Sequence, residues 1–152
     1  MTTIHTIDGR ALANRIREQL KSRIARLSKR PGLAIVQIGE NPESTLYVRL
    51  KERASTELGI HFEKHLLPET ATTEDVLKTI KQLNQRDEIH GIVVQLPLPD
   101  QFDTTKILSA VALEKDVDGL HPDFQNAVQR GVRTRWLPAL QQSILALLDE
   151  AG

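Results

Sequence analysis

The sequence predicts an α/β domain: three layers, α/β/α, around a mainly parallel sheet. Two observations predict it. The runs Leu33-Ala34-Ile35-Val36-Gln37-Ile38 and Gly91-Ile92-Val93-Val94-Gln95-Leu96 are short and almost continuously apolar, as strands covered on both faces are. Between the strand candidates lie segments of helical period, ten or more residues long, which suits crossover helices joining parallel strands.

Each element has its own signal. Asp8 caps a first helix with Leu12, Ile16, Leu20, Ile24 and Leu27 on one stripe, and Pro31-Gly32 stops it. The strand at 33–38 ends on Gly39. Asn41 followed by Pro42 is a cap with an N1 proline, and that helix runs to Leu58 with Gly59 after it. A second strand at 60–67 is ended by Pro68. Thr72 or Thr73 caps a third helix with acidic Glu74 and Asp75 first and Val76, Leu77, Ile80 and Leu83 inward. After the strand at 91–96, Asp103 starts a helix that turns Ile107, Leu108 and Val111 inward. Residues 120–135 read as irregular, and a last helix begins near Pro138 with Leu140, Ile144, Leu147 and Leu148.

Bulk properties narrow the class. At 152 residues the chain is one domain by length and buries roughly 70% of its unfolded surface. Net charge is zero, so neither nucleic acid nor an anionic membrane attracts it. Phe62, Phe102, Phe124, Tyr47 and Trp136 are scattered, which is not a base-stacking platform. No apolar run is long enough to span a membrane, and the polar start Met1-Thr2-Thr3-Ile4-His5 is no signal peptide. Cysteine is absent, which removes disulfides, thiolate catalysis and Cys-type zinc sites. A cytoplasmic, soluble domain is expected.

Ligands of open α/β sheets bind beyond the carboxyl ends of the strands. Gln95, Pro97, Pro99 and the start of the 41–58 helix fall there and should line one cleft. On that helix Leu46, Leu50, Ala54 and Leu58 repeat every four residues and read as the core stripe. Ser44, Tyr47 and Lys51 share another face, about 100° round from it. The ordinary reading is a boundary tyrosine beside a solvated lysine. Gln95, at the end of an apolar strand, must find partners; a neighbouring loop backbone would supply them. Asp116 and Asp118 read first as turn acids. In an extended segment Val117 would set them on opposite sides, one toward the cleft and one toward solvent. His61 and His65 are four apart but sit in strand-like sequence with no third ligand, so no metal is called. His121 before Pro122 reads as loop structure.

Three segments carry a resemblance: Tyr47-Val48-Arg49-Leu50-Lys51, with Ser44 ahead of it; Val94-Gln95-Leu96-Pro97-Leu98-Pro99; and Lys115-Asp116-Val117-Asp118-Gly119 followed by His121-Pro122. Their order and spacing resemble the folate site of bifunctional methylenetetrahydrofolate dehydrogenase/cyclohydrolases, over residues 4 to about 122. Asp8-Gly9 and Gly39-Glu40-Asn41-Pro42 look alike too. The resemblance implies an aminoacid-dehydrogenase-like N-terminal domain that interconverts 5,10-methylene-, 5,10-methenyl- and 10-formyltetrahydrofolate. It makes Lys51 the catalytic lysine, Gln95 the amide that positions it, and Tyr47 a stacking ring that joins them in catalysis. Asp118 becomes the acceptor for the amino-pyrimidine edge of the pterin, and Ser44, Pro97 and Pro99 shape the pocket. The substrate is a tetrahydrofolate derivative; NADP belongs to the full-length family.

Two departures qualify that picture. Family members are about twice as long, their second half a Rossmann-type NADP domain. Here the glycines at 9, 32, 39, 59, 91, 119, 131 and 152 form no Gly-x-Gly-x-x-Gly. Past His121-Pro122 the family shows Asn-x-Gly and then Cys-Thr-Pro-x-Gly, where this chain has Asn126-Ala127-Val128 and Trp136-Leu137-Pro138-Ala139-Leu140. The expectation is a folate-binding catalytic domain at 1–122, with 123–152 as the interdomain connection. Such a divergent or stand-alone folate half would run the hydrolytic step alone. Dehydrogenation would need a separate nucleotide-binding partner, and a homo-oligomer is the other partner considered. The rival readings are a non-catalytic folate-binding or assembly module, and a generic α/β domain without this chemistry.

Overall fold

A computed structural model describes residues 6–132 and 136–151. The element order is α1 (Gly9–Ile24), β1 (Gly32–Ile38), α2 (Pro42–Leu58), β2 (His61–Leu67), α3 (Thr73–Asn84), β3 (Gly91–Val94), α4 (Thr104–Leu108), a 3-10 turn (Leu113–Lys115), α5 (Pro122–Gln129) and α6 (Ala139–Ala151). The sheet has three strands in the order β2-β1-β3. Both pairings are parallel, with Ile38 opposite Leu67 and Val36 opposite Val94. The α/β class and the parallel sheet are as the sequence predicts.

The sheet buries both faces. Ala34, Val36, Ile38, Ile92 and Val94 point to one side and pack with Val76, Ile80 and Leu83 of α3, Phe102, Ile107 and Val111. Ile35 and Val93 point to the other and pack with Val48 of α2. This two-sided burial is why β1 and β3 read as unbroken apolar runs. Gly32 is required at the start of β1 because a Cβ there would collide with the Glu88 carbonyl.

The predicted caps hold. Asp8 accepts from the N–H groups of Arg10 and Ala11, and Asn41 from those of Glu43 and Ser44. Thr72 and Asp75 form a reciprocal capping box on α3. Gly59 closes α2 at φ +80°, a left-handed conformation that favours glycine.

Three expectations need correction. The predicted stripe of α2 is not its buried face: Leu46 and Leu50 are more than half exposed, while Ser44, Val48 and Ser55 are buried. The helix is turned so that small polar side chains sit against the strand ends, and the leucines cover α2's outer side. Residues 120–135 are not all irregular, since His121 caps α5 by accepting from the Asp123 N–H and Pro122 is its N1 residue. The third strand stops at Val94 rather than Leu96. In α1 and α6 no described residue is fully buried.

Candidate active site

The site forms where α2 crosses the carboxyl ends of β1 and β3. The Gln95 N–H donates to Val36 O at 2.9 Å, so the ladder holds Gln95 one residue past β3. Gln95 is buried, and both ends of its amide are engaged. Its Nε2 donates to Leu96 O at 2.8 Å, and its Oε1 accepts from Lys51 Nζ at 2.8 Å. The amide is thereby held with its oxygen toward α2, and that oxygen fixes the end of the lysine. Ser44, one turn into α2, is buried and donates to Leu96 O at 3.3 Å. The peptide between Leu96 and Pro97 is cis.

Tyr47 lies on the same side of α2, 59% exposed as a residue, one turn before Lys51. Pro97 is exposed beside the Gln95 turn. Pro99 belongs to the turn leading to α4, where its carbonyl accepts from the Phe102 N–H.

Asp116 and Asp118 complete the arrangement from the loop after the 3-10 turn. Asp116 does not face solvent, contrary to one half of the sequence expectation. It is buried, bridged to Ile92 of β3, and its Oδ2 accepts from the His121 N–H at 2.9 Å. Asp118 is half-buried, and its carboxylate makes no hydrogen bond among the described residues. Burial pushes its carboxyl above the usual range, the charge of Lys51 opposes that, and Asp116 adds to it. A lysine, an amide, a carboxylate and an exposed phenol ring therefore share one open face. Such a set can hold and pass a proton at Nζ, and accept hydrogen bonds from a planar polar ligand.

Gln37 was not singled out in the sequence. It is buried in β1, next to Gln95 in the sheet, and its Nε2 donates to Thr45 Oγ1 and to Gly39 O, both at 3.0 Å. It braces the first turn of α2 against the strand end. The signal was available: Gln37 is the one polar residue of an apolar run.

The two histidines of β2 are engaged elsewhere. His61 and His65 flank Glu63 on β2, and that carboxylate also takes two bonds from Arg86, each 2.7 Å. A cleft of about 490 Å³ opens by Gly39, Glu40 and the end of β2 at Leu66, Leu67, Pro68 and Glu69. Among the described residues its lining carries the carboxylates Glu40 and Glu69 and no basic side chain.

A family model described as tetrahydrofolate dehydrogenase/cyclohydrolase, catalytic domain, matches residues 7–118. The chain belongs to this family. The bifunctional protein FolD of Moorella thermoacetica is 43% identical over 149 residues, which is 96% of this chain and 53% of the relative. FolD 2 of Geobacter metallireducens is 42% identical over the whole chain and 53% of the relative. Among solved structures, the Campylobacter jejuni bifunctional enzyme FolD superposes with a TM-score of 0.90 at 37% identity, over 95% of this chain and 52% of that one. The Trypanosoma brucei family member, solved with NADP cofactor and inhibitor, also gives 0.90, at 33% identity over 100% and 53%. The chain thus spans about half the length of the family relatives it matches.

Five glycines serve the fold: Gly32 clears Glu88, Gly91 clears Val117, Gly39 and Gly59 turn the chain at positive φ, and Gly119 turns it against Pro138. Among the described residues no helix is long and apolar enough to cross a membrane.

Proposed function

We propose that this chain is a folate-binding catalytic half, with the folate portion at 1–122 and the connection at 123–152. It binds tetrahydrofolate derivatives on the open face and hydrolyses 5,10-methenyltetrahydrofolate to 10-formyltetrahydrofolate. The observation that carries the reading is the 2.8 Å bond from Lys51 Nζ to Gln95 Oε1, beside the unpaired, half-buried Asp118 carboxylate. Family membership supports it.

The chemistry follows from those groups. A water oxygen bonds to the methenyl carbon and the carbon–N5 bond breaks, leaving the formyl group on N10. N5 gains a proton and one proton is released overall. Lys51 carries protons between the attacking water and N5. Gln95 holds Nζ in place whether the lysine carries its extra proton or not, because an N–H remains to donate. Asp118 accepts from the amino-pyrimidine edge, a charge-assisted pairing of about 1.5–3 kcal/mol. Tyr47 offers its face to the flat aromatic part of the ligand, and Ser44 and Pro97 bound the pocket. Oxidation of the methylene form belongs with a nucleotide-binding half or partner.

Calorimetric titration with folic acid tests the binding half of this reading. Tyr47→Ala should weaken binding by the worth of an aromatic contact, about 0.5–1.5 kcal/mol. Asp118→Asn should weaken it more. A wild-type chain that does not bind folic acid would contradict the proposal.

A further inference from the structure

Lys115 and Asp116 open the third motif, yet neither touches the Lys51 face. Lys115 Nζ donates to three backbone carbonyls, Leu83 O at 3.2 Å, Asn84 O at 2.8 Å and Arg86 O at 2.7 Å. These belong to the last turn of α3 and the residues just after it, at the negative end of the helix dipole, where Leu83 O and Arg86 O otherwise have only turn bonds from the Arg86 and Ile89 N–H groups. An ammonium has three donors, and here all three are taken.

The same helix end grips the loop a second time. Asn84 Nδ2 donates to Ala110 O at 2.7 Å, and Asn84 Oδ1 accepts from the Ala112 N–H at 3.0 Å. Beyond Lys115, Asp116 is fixed by His121 and the bridge to Ile92. Val117 lies so close to Gly91 that a Cβ there would stand 2.7 Å from it. Gly119 then turns at φ +67°. Lys115, Asp116 and Val117 are thus held in place just before Asp118, while the Asp118 carboxylate itself is free of hydrogen bonds among the described residues.

The geometry points to Lys115 as a positioning residue: it locks the 110–118 loop onto the end of α3 and so holds Asp118 in readiness for the ligand. The inference rests on the folate reading for the nature of that ligand. A preset acceptor loses less freedom on binding than one carried by a mobile loop. An apolar residue there would leave the Asn84 carbonyl without its donor and take a second donor from Leu83 O and Arg86 O, which also accept from the Arg86 and Ile89 N–H groups.

The test is a double-mutant cycle read by calorimetric titration with folic acid. Lys115→Met should weaken binding about tenfold with Asp118 present, but less than about twofold in the Asp118→Asn background, as coupled groups do. Lys115→Arg should recover most of the affinity. Equal losses in both backgrounds would overturn the inference, because Lys115 would then act on the fold as a whole. Asn84→Ala loosens the same loop without altering Lys115, and should show the same coupling if Lys115→Met does not fold. Should wild type fail to bind folic acid, the folate reading falls, and positioning is read without ligand. The Asp118 carboxyl carbon, followed by NMR across pH, should titrate above the ordinary range in wild type and move back toward it in Lys115→Met. An unchanged titration there would overturn the inference.

Discussion

At Asp118 the expected effects on stability and on folate binding pull apart. Its carboxyl binds a proton more readily in the folded chain than in the unfolded one. Folding is therefore favoured at acid pH through this group, and that contribution is lost as pH rises through the ordinary carboxylate value toward the raised one. Asp118→Asn removes the cost of a desolvated charge. At pH 7 denaturant unfolding should show the variant at least as stable as wild type, although it binds folate less well. Glu63 has the opposite sign. Arg86 first, with His61 and His65, holds its carboxyl down to about 2 from an ordinary 4.5. That stabilisation is present above pH 4.5 and is lost as pH falls toward 2. Glu63→Gln should lower stability at pH 7 by on the order of 1 kcal/mol after allowance for screening by solvent, with the difference vanishing near pH 2.

At the scale of elements, α2 is where pattern and packing diverge. Periodicity assigned the inner face to Leu46 and Leu50, yet the sheet takes Val48, Ser44 and Ser55. Val48→Ala should cost about 2 kcal/mol in urea unfolding, by loss of buried methyl groups. Leu50→Ala should stay within about 0.5 kcal/mol, as exposed substitutions do. The reverse order would restore the leucine face. The physical reason for the misreading is the site itself. To bring Lys51 over Gln95, the helix must present its polar side to the strand ends, and a hydrophobicity pattern reads that side as solvent. Strands β1 and β3 were legible because burial on both faces leaves an uninterrupted apolar run. The helix α5 was not, because His121-Pro122 reads as a break when it is in fact a cap followed by an N1 proline. Lys115 was visible in its motif, but its three carbonyl partners lie about 30 residues away in sequence, beyond any local pattern.

For the whole molecule, the parallel three-stranded sheet brings one strand end, one helix face and one locked loop together on an open surface. Relatives of about twice the length share this half at a TM-score of 0.90. We propose that the assembled face is by itself sufficient for hydrolysis. The most direct measurement is turnover of 5,10-methenyltetrahydrofolate by the purified chain, without NADP, beside Lys51→Met. Hydrolysis above the uncatalysed rate is expected in wild type and should disappear in Lys51→Met, while both proteins melt at similar temperatures. Hydrolysis that survives in Lys51→Met would contradict it, as would a wild-type chain that binds the substrate and does not turn it over.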